Sequence, residues 1–197
     1  MYCSLTRVVV LLMCSCGVLS AAVPAVSPVS AVAAMPAGVW LDVPFVKQEK
    51  NGCGAASVAM VMQYWLKQQG RSSESADATQ IHRSLYVSDA DGVYASAMES
   101  YFQKHQFRTF SFRGEWKDLQ QHLQKGRPLI VALKPSGGDG SLHYVVVAGM
   151  DSEQGILLLN DPARRKLLKQ DRSSFEKQWS ATGKWTLLAL PQPADGG

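Results

Sequence analysis

The residue whose type and setting most clearly suggest a catalytic role is Cys53. It lies in the stretch 51–57, which has the sequence Asn-Gly-Cys-Gly-Ala-Ala-Ser. Of the four cysteines, the other three (Cys3, Cys14 and Cys16) lie in an apolar N-terminal segment. An ordinary thiol, with a pKa near ~8.5, is only a few per cent ionised at neutral pH. Cys53 lies immediately before, or in the first turn of, a predicted helix, whose dipole favours the thiolate by about 0.3–1 kcal/mol. A reactive nucleophile needs a cationic neighbour as well. A buried, inert thiol is the simpler alternative.

Four histidines compete for the role of that neighbour. His82 and His122 fall in predicted amphipathic helices and His105 near a helix C-terminus, where a surface or dipole-satisfying role is the usual one. His143 differs because it opens the apolar run 144–148 directly after a glycine-rich loop. A histidine at the start of a strand can face a cleft, so we predict that His143 is the base that pairs with the thiol.

Two adjacent residues could orient the imidazole of His143. If the strand from His143 pairs with the strand that ends at Asn160, the residue opposite His143 falls close to Pro162. The carboxylate of Asp161 or the amide of Asn160 could then hold one ring N–H. Side chains alternate along a strand, so only one of these two residues faces a cleft. We favour Asp161 and keep Asn160 as its rival.

Gln48 is a candidate for stabilising an oxyanion. Its side-chain amide precedes Cys53 by a short loop, residues 49–52, and could donate a hydrogen bond together with the backbone N–H of Cys53. By itself a glutamine at this position would be interpreted as a surface residue. Its significance comes from the nucleophile and base predicted beside it.

No metal, cofactor or nucleic acid is predicted. The histidines and cysteines lack zinc-site spacing, and the stretch 89–92 (Asp-Ala-Asp-Gly) lacks the flanking acidic ligands of a calcium loop. The formal net charge of +4 gives no reason to expect nucleic acid or an anionic membrane surface as a partner. We expect a peptide or protein substrate.

Apolar spacing predicts helices in the first half of the chain and strands in the second. The predicted helices cover residues 54–69, 77–85, 93–105 and 116–124, and a short later helix begins with a capping box of Ser173 and Glu176. The predicted strands cover residues 129–133, 143–148, 156–160 and 185–190. Helices followed by antiparallel strands indicate an α+β fold with two segregated parts, and a cleft between such parts is a natural active site.

The N-terminus has the pattern of a secretory signal. Arg7 precedes the apolar run 8–19, and small residues follow at 20–22. The run is shorter than the ~20 residues that span a bilayer, which disfavours the alternative of a membrane anchor. We therefore expect a protein exported from the cytoplasm, with no stable membrane span after processing. Met13–Cys16 also resembles a bacterial lipoprotein box, so a lipid anchor at Cys16 is an alternative.

The predicted organisation is a single folded domain between flexible ends. A signal peptide covers residues 1–22, with cleavage at the latest near Ala33, and a linker rich in alanine, valine, proline and serine covers 23–38. The domain covers residues 39–191, and a tail covers 192–197.

Several stretches follow one another in an order that resembles the papain-like cysteine peptidases of bacteriocin leader processing, the double-glycine peptidases, and their stand-alone relatives. They are 43–48 (Val-Pro-Phe-Val-Lys-Gln), 53–60 (Cys-Gly-Ala-Ala-Ser-Val-Ala-Met), 126–130 (Gly-Arg-Pro-Leu-Ile), 142–146 (Leu-His-Tyr-Val-Val) and 160–162 (Asn-Asp-Pro). The resemblance extends over nearly all of the chain from about Leu41 to Pro191.

The resemblance implies a papain-like fold in which an N-terminal helical part packs on a C-terminal antiparallel sheet. It implies Cys53 as nucleophile and His143 as base and acid. It further implies Asp161 as the orienting residue and Gln48 as the oxyanion donor. The implied reaction is hydrolysis of a peptide bond through a thioester, without a cofactor. Leader-processing members are typically cytosolic domains fused to a transporter, so their double-glycine specificity does not transfer to a chain that we expect to be exported.

Two other functions remain as alternatives. The same thioester could pass its acyl group to an amine or alcohol, which would make the protein an acyltransferase or an isopeptide-forming enzyme. The chain could also be a non-catalytic, peptide-binding module. The presence of all four predicted site residues argues against a binding module, which would not need the whole set.

Overall fold

The computed structural model describes residues 38–73, 76–135 and 141–193, and all of them lie in one compact unit that spans residues 36–197. The predicted signal peptide, Cys16, nearly all of the predicted linker and most of the predicted tail lie outside the described residues. Among the described residues, no helix is both long enough and apolar enough to cross a bilayer.

Five α-helices are present in the described part of the chain. They are α1 (Cys53–Gln68), α2 (Ala78–Leu85), α3 (Ala95–Lys104), α4 (Trp116–Gln124) and α5 (Arg172–Ser180). The first four overlap the predicted helices closely. The predicted capping box of α5 is wrong, because the helix begins earlier: Asp171 is its N-cap and accepts a hydrogen bond from the backbone N–H of Ser174 at 2.9 Å. Glu176 pairs instead with Arg172 at 2.9 Å.

Nine strands complete the described structure. They are β1 (Gly38–Trp40), β2 (Tyr86–Val87), β3 (Gly92–Val93), β4 (Phe107–Arg113), β5 (Leu129–Leu133), β6 (His143–Asp151), β7 (Ile156–Asp161), β8 (Arg165–Asp171) and β9 (Trp185–Pro191). An antiparallel sheet has the order β4-β9-β5-β6-β7-β8, with β1 also pairing to β6, and β2 with β3 forms a separate small hairpin. Sequence patterns missed β4 and β8 because they are the two edge strands, whose half-exposed side chains break the apolar alternation.

The main sheet separates two hydrophobic cores. One face packs against α1, α2 and α3, and the other against α4 and α5. The prediction of an α+β fold with a helical part on an antiparallel sheet is confirmed. Helices cover both faces of the sheet because β5 and β6 are buried on both sides, as their almost unbroken apolar sequences require.

A β-bulge in β6 changes the register of its pairing with β7. Met150 lies opposite Leu157 and Gly149 opposite Leu158, but the next pair is Val147 with Leu159, so Ala148 is an extra residue on β6. Continuing toward the beginning of β6, Val146 lies opposite Asn160.

Candidate active site

Cys53 is the first residue of α1, one residue before the predicted start of this helix and within the range expected for the thiol. The helix start is formed by a turn in which the N–H of Gly52 donates to the carbonyl of Glu49 at 3.0 Å. Asn51 completes this turn in the left-handed region, with φ 55°. The carbonyl of Gly52 then accepts the first helical bond, from Ala56, at 2.9 Å. The thiol therefore sits where unpaired N–H groups and the helix dipole favour an anion.

Gly54 allows this helix end to pack tightly. A Cβ atom at position 54 would lie 3.0 Å from Cβ of Val93 and 3.2 Å from Sδ of Met98. Because Gly54 has no side chain, the first turn of α1 packs closely against β3 and α3. At the same end of the helix the hydroxyl of Ser57 donates to the carbonyl of Tyr144 at 3.3 Å, which ties α1 to the beginning of β6.

The structure brings His143 and Asp161 into contact. Nε2 of the imidazole lies 2.8 Å from Oδ1 of the carboxylate, and the same oxygen accepts a hydrogen bond from the N–H of Ala163 at 3.0 Å. Asp161 is buried, while the His143 side chain is 19% exposed. Because Nε2 is occupied by Asp161, Nδ1 is the ring nitrogen left for the hydrogen bond between His143 and Cys53.

The pKa values of these three side chains shift in opposite directions. Burial alone would raise the pKa of Cys53, but hydrogen bonds from His143 and from the backbone of Tyr144 lower it below its ordinary value. Burial would lower the pKa of His143, yet its bonds to Asp161 and Cys53 raise it to about 9. The pKa of Asp161 is lowered, because its bond to His143 outweighs the effect of burial. These shifts favour a thiolate–imidazolium pair over a neutral one between the two pKa values of Cys53 and His143.

Asn160, the predicted rival of Asp161, does not contact His143. It is fully buried, and its Nδ2 donates to the carbonyls of Val43 at 3.1 Å and Pro44 at 3.4 Å. Its Oδ1 accepts from the N–H of Leu167 at 3.0 Å. The amide therefore faces the opposite side of β7 from the carboxylate of Asp161, as strand alternation requires.

Gln48 lines the same groove as Cys53, His143 and Asp161. Its backbone N–H donates to the carbonyl of Pro162 at 3.0 Å, which holds the residue beside the end of β7. The side-chain Oε1 is buried and has no hydrogen-bond partner among the described residues. All four predicted site residues are thus gathered at one place in the fold.

The groove has a volume of about 1100 Å³ and runs between the helical part and the sheet. Its rim includes two large side chains that are about half exposed, Tyr94 and Leu142, and charged residues on both sides, Asp91 and Lys169 among them. The sequence predicted a helix over 93–105 and did not predict the short hairpin of β2 and β3, so it did not place Tyr94 or Asp91 at the groove. No group of residues suited to binding a metal ion occurs in the described ranges.

The backbone contributes contacts that no side-chain pattern could have revealed. Backbone groups of Tyr144 and Gly54 help to lower the pKa of the Cys53 thiol. Their placement depends on α1 and β6 meeting at their N-terminal ends, a relationship between distant parts of the chain.

The other three histidines lie away from the groove lining. His82 and His122 are half buried rather than fully exposed, and each has one ring nitrogen without a partner among the described residues. Burial lowers the pKa of His122. His105 is the C-cap of α3, and its ring lies against Tyr101 at 4.3 Å between centroids.

Comparison with solved structures identifies a common fold. The peptidase domain of Streptococcus ComA, a bifunctional ABC transporter of a quorum-sensing pathway, matches with 22% identity and a TM-score of 0.57 over 75% of this chain and 98% of that chain. A putative C39-like peptidase from Bacillus anthracis matches with 18% identity and a TM-score of 0.60 over 80% and 99%.

A third match is a double glycine motif protease from an AMS/PCAT transporter in complex with its leader peptide. It has 22% identity and a TM-score of 0.58, over 78% of this chain and 95% of that chain. At these identities the likeness establishes the papain-like fold. No functionally curated protein matches the sequence significantly.

The family follows from the sequence itself. Residues 40–187 match the model of the Peptidase_C39 like family, a stretch that begins in β1, ends in β9 and includes Gln48, Cys53, His143 and Asp161. With its papain-like fold and a match over most of its length, this chain belongs to the Peptidase_C39 like family.

Proposed function

We propose that this protein is an active cysteine peptidase in which Cys53 is the nucleophile and His143 the general base and acid. Asp161 orients the imidazole, and Gln48 donates to the oxyanion. The observation that carries the proposal is that His143, held by Asp161 at 2.8 Å, shares an open groove with Cys53 and lowers the pKa of its thiol. A protein that only binds peptides has no need for a thiol whose pKa is lowered by a paired imidazole.

The reaction follows from the charges of these groups. The Cys53 thiolate attacks the carbonyl carbon of a peptide bond, and the resulting oxyanion accepts hydrogen bonds from the Gln48 amide and the backbone N–H of Cys53. His143 transfers its proton to the departing amine, which leaves a thioester on Cys53. The imidazole, now neutral, takes a proton from water as the water attacks the thioester. This releases the carboxylic acid product and restores the thiolate–imidazolium pair.

A peptide is the substrate class that the groove suits best. The groove opens between the helical part and the sheet with a volume of about 1100 Å³, and the related AMS/PCAT protease was solved in complex with the leader peptide. Substrate profiling with peptides that contain or lack a double glycine tests recognition of that motif. The apolar side chains of Tyr94 and Leu142 on the rim also offer contacts to larger residues.

Export from the cytoplasm is part of the proposal and rests on the N-terminal sequence. Arg7, the apolar run 8–19 and the small residues 20–22 form the pattern of a secretory signal. Mass spectrometry of the N-terminus of the protein made in a bacterial host tests this directly. A new N-terminus between residues 23 and 34 supports processing by signal peptidase, a lipid-modified Cys16 supports anchoring, and an intact Met1 contradicts export.

The catalytic proposal is tested by digestion of a proteome-derived peptide library, with products identified by mass spectrometry. We expect defined cleavages that disappear in Cys53→Ala and persist in Lys47→Ala, a change at an exposed neighbour of Gln48. Adding a primary amine distinguishes hydrolysis from acyl transfer, because a transferase would yield amide products instead of free acids. Absence of any product from the wild-type protein would contradict the proposal.

A further inference from the structure

Asn160 is a fully buried polar residue beside the candidate site that the proposed reaction does not use. Only four polar or charged residues in the described part of the chain are classed as buried: Ser57, Asn160, Asp161 and Thr186. Burying an amide is costly unless its donors and acceptor find partners. Asn160 finds three backbone partners, and they belong to two different segments.

The first segment joins β1 to α1 and carries Gln48. It runs beside the sheet without belonging to a strand, so its carbonyl groups need partners from outside. The Asn160 amide donates to the carbonyls of Val43 and Pro44. The next backbone bond joins Gln48 N–H to the carbonyl of Pro162, at 3.0 Å. The segment is therefore attached to the end of β7 on both sides of Asp161.

The second segment is β8, at a point where its pairing with β7 is irregular. Leu159 lies opposite Leu168, but Asp161 lies opposite Arg165, so β8 has one residue more than β7 between these pairs. Leu167 is in the left-handed region there, with φ 52°, and its N–H bonds to the side chain of Asn160. The amide thus satisfies a backbone group at a bulge that interrupts the regular ladder.

We infer that Asn160 is a positioning residue, which fixes the segment carrying Gln48 against the strand carrying Asp161. The inference rests on the proposed function, because it concerns the placement of the oxyanion donor relative to Cys53. Displacing such a donor by about 1 Å can cost on the order of 10²-fold in rate. The hydrogen bonds of Asn160 go to the backbone of Val43, Pro44 and Leu167, and none goes to Cys53 or His143. The thiolate–imidazolium pair should therefore persist when this amide is removed.

The test uses Asn160→Asp, which keeps the size and the acceptor oxygen but removes the donor to Val43 and Pro44. The matched control is Gln63→Glu, which removes a similar amide bond, Gln63 Nε2 to the carbonyl of Ala76 at 3.0 Å, on α1 away from the groove. The probe is acetyl-Gly-Gly-aldehyde, whose thiohemiacetal with Cys53 places an oxygen at the oxyanion position. The second readout is the pH dependence of iodoacetamide alkylation, which reports the thiolate.

We expect Asn160→Asp to weaken aldehyde binding about tenfold or more and to leave the pH profile of alkylation unchanged. In Gln48→Ala the aldehyde should already bind weakly. Adding Asn160→Asp should cause little further loss of affinity, because both changes remove the same interaction, the hydrogen bond from Gln48 to the oxyanion. Gln63→Glu should bind the aldehyde like the wild type. Additive losses, or an unchanged affinity in Asn160→Asp, would overturn the inference.

A second variant addresses folding and charge. Asn160→Thr is neutral and suited to a strand, so it repeats the measurement without a buried carboxylate and serves if Asn160→Asp does not fold. The same non-additive loss with Gln48→Ala is expected. If the wild-type protein neither binds the aldehyde nor cleaves peptides, the proposed function itself fails. That failure is distinct from a failure of the inference about Asn160, because it is seen in the wild-type protein, whereas the inference is tested by comparing variants.

Discussion

His143 and Asp161 are diagonal neighbours on adjacent strands, with Nε2 of the imidazole 2.8 Å from Oδ1 of the carboxylate. Val146 pairs with Asn160, so the same register places Val145 opposite Asp161, and His143 lies one side-chain step along the same face. The predicted partner position, close to Pro162, differs by one residue from this register. A diagonal contact is within reach of an imidazole, and it leaves Nδ1 for the interaction with Cys53.

The ionisation of Cys53 is the first property to measure. The hydrogen bond from His143 lowers the pKa of the thiol, so the alkylation rate by iodoacetamide should stay high well below pH 7. In His143→Ala, burial remains without the compensating bond, and the rate should fall off at a much higher pH. A wild-type profile with a midpoint near ~8.5 would mean that the pair does not form.

The alkaline side of the activity profile should report His143. Its pKa is raised to about 9, so the imidazolium that protonates the leaving amine is lost only as pH rises through that value. Asp161→Asn keeps an acceptor oxygen but removes the negative charge that helps to raise this pKa. The alkaline limb of kcat/KM should then move to lower pH, and the maximal rate should fall. If the limb stays in place in Asp161→Asn, another residue orients the imidazole.

Gln48→Ala tests the oxyanion donor. The loss of one such donor typically costs about 10²–10³ in kcat, and we expect a decrease of that size here. The pH dependence of Cys53 alkylation should remain as in the wild type, because Gln48 is not among the groups that shift the pKa of Cys53 or of His143. Lys47→Ala, at the exposed preceding position, is the control. Unchanged kinetics in Gln48→Ala would remove this residue from the site.

Gly114→Ala tests the packing of the second core. A Cβ atom at this position would lie 2.6 Å from Cζ2 of Trp179 and 2.6 Å from Oγ1 of Thr186, both fully buried. Overpacking of this kind costs about 1–3 kcal/mol, measured as a lower free energy of unfolding in denaturant. Gly92→Ala is the matched control, because its added Cβ would meet only the carbonyl of Ala90 at 3.7 Å. Equal stability of the two variants would contradict the packing described here.

Local sequence was sufficient to predict most of the elements around the site. The apolar spacing in α1 and α4 and the buried runs of β5 and β6 are strong periodic signals, and they were predicted close to their actual bounds. The edge strands β4 and β8 were missed because half of each faces solvent. Their pairing is decided by the neighbouring strand, which lies far away in the sequence.

The position of Cys53 at a helix start was determined by the sequence itself. Cys53 has a glycine on each side and an apolar helical pattern after it, and each of these is a local property. The contacts of Asn160 with Val43 and Leu167 were not determined by local sequence, because they join three separate segments of the chain through one buried amide.

The choice between Asp161 and Asn160 as the neighbour of His143 was made by tertiary structure alone. Without the extra residue Ala148, the register from the turn would pair Val147 with Asn160 and put the amide on the face of His143. The bulge shifts the pairing by one residue, and since side chains alternate with a period of two, that shift exchanges the faces of the two residues. No pattern of residue types specifies where such a bulge falls, because it depends on how β1, β6 and β7 pack together.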